Sequence, residues 1–192
     1  GALFDLDPNE FMFLFVGQHR WLKNIRLILD ALKIVSDRGK SFKMVFVGKG
    51  PDKDEIEELV SEYGLWPRVY FTGVIIKREE IKPIYARANL FLFPSVYDNA
   101  PLVMREAAAF RVPSVLVRGS TAAESVIDRE NGFLIENNAE AFAETLCELL
   151  QTPELVKKVG QNAQKTIYMS WEQVIDTVYT RYKEIIEEFA KR

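Results

Sequence analysis

Six short apolar runs punctuate the chain, and most of them stop at a glycine or a turn before a helical pattern begins. Phe11 to Val16 is continuously apolar and ends at Gly17, after which Ile25, Ile28, Leu29, Leu32 and Val35 recur at helical spacing. Met44-Val45-Phe46-Val47 stops at Gly48, and Val69-Tyr70-Phe71 runs into Thr72-Gly73. Leu90 to Phe93 breaks at Pro94-Ser95, Ser114 to Val117 follows Pro113, and Phe133-Leu134-Ile135 follows Asn131-Gly132. Runs that do not alternate apolar with polar are strands covered on both faces. Joined by helices, such strands pack as a parallel, doubly wound sheet. The expected fold is therefore α/β: a Rossmann-like, six-stranded parallel sheet with helices on both faces.

Helical patterns fill the gaps. Asp52 and Glu55 have the spacing of a capping box for a helix reaching about Tyr63. A short helix is expected over about Glu79 to Ala88, and another carries Glu106. Three helices close the chain: Ala139 to Leu150, one opened by Pro153 with Thr152 as its N-cap, and one opened by the box Ser170-Trp171-Glu172-Gln173. The last has an apolar face of Trp171, Val174, Ile175, Val178, Tyr182, Ile185 and Ile186, which either packs on this domain or reaches toward another. Its charged end, Lys183 to Arg192, reads as a solvated tail.

Composition narrows the function classes. At 192 residues and 48% hydrophobic, the chain suits one well-cored domain. A net charge of −3 with mixed signs argues against a nucleic-acid surface while leaving room for a local basic pocket. The single Cys147 lies among Phe142, Leu146, Leu149 and Leu150, the setting of a buried helix thiol. One cysteine forms no intrachain disulfide and fits a reducing compartment. No apolar run approaches the ~18 residues of a membrane span. A single histidine, His19, excludes any zinc site or triad built on several histidines.

Two carboxylates separated by seven residues form the most informative site. Asp98 follows the Leu90 to Phe93 strand on a loop, and Glu106 sits among Leu102, Val103, Ala107, Ala108, Ala109 and Phe110. A carboxylate on so apolar a helix needs a partner, because unpaired buried charge is costly. At the carboxyl end of a strand in an open α/β sheet, that partner is either a ligand such as a vicinal diol or an arginine. Asp98 reads either as a helix cap or as a ligand-facing group.

Other candidates each carry two readings. Lys23 is placed in the first turn of the first helix, where an anionic ligand would offset the unfavourable dipole; otherwise it is a solvated lysine. Arg20 and Arg26 lie nearby. Gly48-Lys49-Gly50-Pro51 follows a strand without Walker spacing and reads better as a tight turn than as a phosphate loop. Asp5-Leu6-Asp7 has the look of a metal-binding pair but reads better as linker. His19 either lines a site or is an ordinary loop residue.

Taken in order, these pieces resemble the carboxyl-terminal, donor-binding domain of family-four glycosyltransferases of GT-B architecture. Phe15-Val16-Gly17 through Lys23-Asn24 is similar to that family's first loop, which usually reads Gly-Arg and then Lys-Gly. Val47 to Pro51 resembles its second loop and Phe71-Thr72-Gly73-Val74 its third. Pro94-Ser95 through Asp98 and Arg105-Glu106-Ala107 resemble its Glu-x7-Glu signature. Pro113-Ser114-Val115, Asn131-Gly132-Phe133-Leu134 and Ser170-Trp171 match as well.

The resemblance implies transfer of a hexose from a nucleotide sugar, UDP-linked by family frequency, with retention of configuration and without a metal. It implies that Lys23 binds the diphosphate and stabilises the leaving phosphate, that Asp98 faces the donor sugar, and that Glu106 holds the ribose. Backbone near Asn99, Ala100, Leu102 and Val103 would meet the sugar and phosphates. Gly73, Val74 and Ile75 would line the base pocket, with Gly17, Gln18, Arg20 and Gly48 completing the donor site. A dianionic leaving group calls for cations and a helix dipole, which agrees with this set.

Three departures stand out. Gln18 replaces the usual arginine, Asp98 is one methylene shorter than the usual glutamate, and Ala100-Pro101 stands where an aromatic-glycine pair is common. Proline has no N–H to give. The alternative function is a non-catalytic nucleotide-sugar-binding module on the same fold, which Gln18 and Pro101 favour. The resemblance also implies a two-domain enzyme, with residues 1–10 as interdomain linker, residues 11–192 as the nucleotide-sugar-binding domain, and the final helix returning toward a missing amino-terminal domain. The acceptor is a sugar, lipid or protein. The isolated chain is expected to bind donor weakly and to transfer little, and the full protein is expected in the cytoplasm, with any peripheral membrane contact carried by the missing half.

Overall fold

The structure is a computed structural model that describes residues 9–98, 102–168 and 171–190. Six strands form one sheet: β1 (Met12–Val16), β2 (Lys43–Val47), β3 (Val69–Phe71), β4 (Leu90–Leu92), β5 (Ser114–Val117) and β6 (Phe133–Ile135). Their order is β3-β2-β1-β4-β5-β6, and every pair is parallel. The doubly wound, all-parallel fold expected from the apolar runs is the one observed. The strand sequences show no alternation, because β1, β4 and β5 are buried along their whole length.

The described residues form seven α-helices: α1 (Ile25–Asp37), α2 (Lys53–Glu62), α3 (Arg78–Arg87), α4 (Leu102–Ala109), α5 (Ala139–Gln151), α6 (Pro153–Thr166) and α7 (Trp171–Ala190). The stripe Ile25, Ile28, Leu29, Leu32 and Val35 is buried, and α1 packs against α2 and α5. On α4 the buried residues are Met104, Ala107 and Ala108, and this helix packs against α6. Gly160 permits a close approach of α6, since a Cβ there would lie 2.0 Å from the carbonyl oxygen of Arg111. Cys147 is buried in α5, as its apolar neighbours indicate. No helix among the described residues is long and apolar enough to cross a membrane.

The chain order reverses between β1 and β4. Strands added after β1 run outward through β2 to β3; after the crossover they run the other way through β4, β5 and β6. The loops leaving β1 and β4 therefore diverge and leave a crevice between them at the carboxyl edge of the sheet, the usual ligand position in such folds.

Several local expectations change. Lys23 is not in the first turn of α1. It ends a 3-10 turn, Trp21–Lys23, and is separated from α1 by Asn24 in the left-handed conformation, φ 60°. Asp52 and Glu55 do not form a capping box, because Asp52 makes no side-chain cap bond and both carboxylates are turned to Trp21 instead. Thr152 stands at the N-cap position of α6, but its hydroxyl donates back to the carbonyl of Glu148 at 3.0 Å. Among the described N-caps a side-chain cap bond occurs at α5, where Asn138 Oδ1 accepts from the N–H of Ala141 at 2.8 Å. On α7 the apolar face is not buried where it is described: Ile175, Val178, Tyr182 and Ile186 are all exposed. The side chains of Trp171, Val174 and Ile185, and the cap residue Ser170, lie outside the described residues.

Candidate donor site

Phenylalanines cluster near the carboxyl ends of the strands. Phe15 and Phe46 sit one residue from the ends of β1 and β2, Phe71 ends β3, and Phe93 follows β4. Their rings form a chain, with centroids 5.6 Å apart for Phe15–Phe46, 5.1 Å for Phe46–Phe71 and 6.2 Å for Phe15–Phe93. His19 rests against three of them, Phe15, Phe46 and Phe71, at 6.4, 6.0 and 5.6 Å. It is fully buried, and neither ring nitrogen has a hydrogen-bond partner among the described residues. Burial, reinforced by the Lys53 ammonium and opposed by the Glu57 carboxylate, pushes its pKa down to about 4. Of the two readings left open for His19, the structure favours a loop residue, one whose neutral ring is buried against the phenylalanines.

Glycines let three loops touch through backbone. The N–H of Gly17 donates to Val47 O, and that of Gly48 donates to Gly73 O. Gly48 has φ 132°, and a Cβ there would lie 2.0 Å from Gly17 O. A Cβ on Gly50 would lie 2.2 Å from His19 O. The Gly48-Lys49-Gly50 turn is thus a packing joint between loops, which fits the tight-turn reading.

The loop carrying Lys23 is held from three directions. Trp21 donates its backbone N–H to Asp52 Oδ2 and its indole N–H to Glu55 Oε2, both at 2.8 Å. The Arg26 guanidinium lies 4.7 Å over the Trp21 ring. Asn24 Nδ2 donates to Pro94 O at 3.1 Å and to Asn137 Oδ1 at 3.0 Å. Asn24 thereby ties the loop after β1 to the loop after β4. The outcome is that Lys23 and Asp98 meet across the crevice, Lys23 Nζ donating to Asp98 Oδ1 in an ion pair whose side chains are each 23% exposed. Asp98 Oδ2 is buried and has no partner among the described residues. Asp98 therefore pairs across the crevice, and no cap bond from it to α4 is seen among the described residues.

Glu106 has a partner that is neither of the two expected from sequence. Tyr85 on α3 donates its hydroxyl to Glu106 Oε2 at 2.9 Å. Tyr85 is 1% exposed, and its ring stacks on Phe110 at 5.8 Å. A buried phenol must find an acceptor and a half-buried carboxylate must find a donor, so each satisfies the other. Among the described residues no arginine pairs with Glu106.

The remaining predicted residues fall around the same edge. Gln18 and Arg20 are exposed, Gly17 and Gly73 are half-buried, Val74 is 50% exposed, and Ile75 packs partly against the core. Leu102 is exposed at the start of α4, while Val103 is partly buried. Asn99, Ala100 and Pro101 lie outside the described residues, as do Asp5 and Asp7. No group of three or more His, Cys, Asp or Glu side chains positioned to hold a metal occurs among the described residues. Trp21, Tyr85 and Asn137 carry no mark in the sequence reading, and Asn24 and Asp52 enter it only as a motif position and a helix cap. Tyr85 had a usable signal, because it shares a helical face with Ile81 and Ile84 and its hydroxyl had to reach an acceptor.

The six-stranded sheet, with paired charges at its switch point, is that of a doubly wound α/β domain. Its affiliation is specific: the family model for glycosyl transferases group 1 matches residues 4–166, and the chain belongs to that family. The chain is 25% identical over 189 residues to N-acetyl-alpha-D-glucosaminyl L-malate synthase of Bacillus anthracis, covering 96% of this chain and 48% of that protein. It is similar to the C-terminal domain of the group 1 glycosyl transferase LpcC of Francisella tularensis, with TM-score 0.74 and 24% identity over 82% of this chain and 84% of that one. It is also similar to Anabaena HepE in complex with UDP and glucose, with TM-score 0.74 and 21% identity over 96% of this chain and 49% of that one. The fold is GT-B in type, and the chain spans about half the length of the curated relatives it matches.

Proposed function

We propose that this chain is the nucleotide-sugar-binding domain, residues 11–192, of a retaining, family-four glycosyltransferase that transfers a hexose from a UDP-linked donor. The observation that carries this reading is the meeting of Lys23 and Asp98 at the switch point, a cation and a hydroxyl acceptor set beside the start of α4. Lys23 would bind the diphosphate and offset the charge that grows on the leaving phosphate. Asp98 would take a hydroxyl of the sugar through its unpaired oxygen. Glu106, held by Tyr85 through one oxygen, would offer the other to the ribose. Gly73, Val74 and Ile75 would flank the base. The complex of HepE with UDP and glucose supports the uridine assignment by likeness of fold.

The transfer would be metal-independent, with Lys23 supplying the positive charge. Acceptor binding would fall to a second domain, which the half-length match to the relatives supports. The isolated chain would bind donor weakly and transfer little. The full protein would work in the cytoplasm, with any membrane contact made by that second domain. A non-catalytic nucleotide-sugar-binding module is the second reading, favoured by Gln18 in the place of the usual arginine.

Calorimetric titration of UDP- and GDP-sugars against the wild type, Lys23→Ala and Glu106→Ala tests the assignment. Wild-type binding that weakens at least tenfold in both variants is expected, since each loses a charge-assisted contact of about 1.5–3 kcal/mol. Absence of binding by the wild type sinks the donor-domain reading, and binding that survives Glu106→Ala removes the ribose role.

A further inference from the structure

The Lys23–Asp98 ion pair occupies the cation that a diphosphate would need. We infer that Asp98 acts as a discriminator, admitting a nucleotide that carries a sugar in preference to a bare nucleoside diphosphate. The inference rests on the donor-domain reading above and extends it from binding to selectivity.

The two oxygens of Asp98 are in different settings. Oδ1 accepts from Lys23 Nζ, and Oδ2 is buried with no partner among the described residues. An anion that draws the Lys23 ammonium toward itself strips Oδ1 of its donor as well. The carboxylate is then left with neither oxygen paired, three-quarters buried, and facing an added negative charge. Both changes are unfavourable, the first through desolvation without compensation and the second through like-charge repulsion. A ligand that brings a hydroxyl donor along with its phosphates repairs the first loss, because the hydroxyl can bond the freed carboxylate. The penalty therefore falls mainly on the nucleoside diphosphate alone.

The pair cannot relax simply by drifting apart. Asn24 bonds Pro94 O, and Trp21 is fixed to Asp52 and Glu55, so the two loops hold their spacing. Nor is the ammonium surplus, since the described residues place Asp98 as its ion-pair partner. After sugar transfer the product is the nucleoside diphosphate, and the same carboxylate would reclaim Lys23 and promote its release.

The experiment measures dissociation constants of UDP, a UDP-hexose and uridine for the 192-residue wild type and Asp98→Asn, with the GDP series in parallel. Asparagine keeps the shape and removes the charge. The expected result is that the wild type prefers the nucleotide sugar, and that Asp98→Asn tightens UDP about fivefold, the size of one partly exposed charge pair, so that the preference narrows. Uridine affinity stays constant, and a thermal melt confirms that the variant is folded. An unchanged ratio between UDP and UDP-hexose in a folded variant overturns the discriminator while leaving the donor domain intact. Failure of the wild type to bind any member of either series overturns both.

Discussion

Tyr85 and Glu106 lie on different helices and join them through one hydrogen bond, from the phenol to Glu106 Oε2 at 2.9 Å. The burial of Tyr85 and the neighbouring carboxylate push its pKa well above the ordinary value. The phenol therefore stays protonated in the folded chain while the unfolded chain ionises near pH ~10. Its contribution to stability is complete below that pH and declines as the pH rises beyond it. Tyr85→Phe keeps the stacking on Phe110 and removes the donor. It is expected to cost about 1–2 kcal/mol by denaturant unfolding at pH 7 and to flatten the alkaline decline. Nucleotide affinity should not fall, because Glu106 gains a free oxygen.

His19 gives the opposite pH signature. Its pKa is about 4 in the folded chain and near 6.5 when exposed. The folded state thus binds fewer protons than the unfolded state below neutrality. Stability tied to His19 is fully present above pH ~6.5 and is lost as the pH falls toward 4. Between pH 7 and pH 5 the loss should be about 2 kcal/mol. His19→Phe, which suits the surrounding rings, should remove most of that slope, and urea unfolding at the two pH values measures it. An unaltered slope in the variant would show that other groups set the acid limit.

Asp52 supports a loop rather than its own helix. Asp52→Ala frees the N–H of Trp21 and should cost about 1–2 kcal/mol, the usual effect of leaving such a donor unpaired. Because Trp21 and Lys23 share one short turn, the same change should weaken nucleotide binding severalfold. Trp21→Phe, which loses only the more exposed bond to Glu55, should have a smaller effect on both. Denaturant melts combined with titration of UDP-hexose separate the two effects.

Gly48 leaves no room for a side chain. With φ 132° and Gly17 O 2.0 Å from the place a Cβ would take, Gly48→Ala must displace backbone. A loss of more than ~3 kcal/mol is expected, as for other strained backbone substitutions. Gly39→Ala is the control, since nothing lies within 4 Å of its Cβ position despite φ 70°. A thermal melt of each settles the comparison.

The strands were legible because burial on both faces suppresses alternation, and the runs from Phe13 to Val16 and Met44 to Val47 carry that pattern openly. The meeting of Lys23 with Asp98 depends on the strand order, which makes β1 and β4 neighbours and which the apolar runs do not reveal. What stayed hidden was partner choice. The i, i+3 spacing of Asp52 and Glu55 suits a capping box, yet both bond a tryptophan 31 and 34 residues away. Spacing reports local competition and is silent about a donor that another loop delivers. Glu106 shows the same limit: its apolar surroundings demanded a partner, but only the packing of α3 beside α4 selects Tyr85 over an arginine. The Lys23 turn was misplaced by two residues because Asn24 interrupts the helix with a left-handed step that asparagine tolerates.

The joint between the loops after β1, β2 and β3 is made of main chain: Gly17 to Val47, Gly48 to Gly73, and His19 to Lys49. Bonds of this kind do not depend on side-chain identity. Exposed neighbours such as Gln18, Lys49 and Val74 can therefore be exchanged without moving the framework that carries them. A lineage could retune which donor it accepts by single substitutions at those positions, while the glycines, having no substitute of equal size, would stay under the strictest selection.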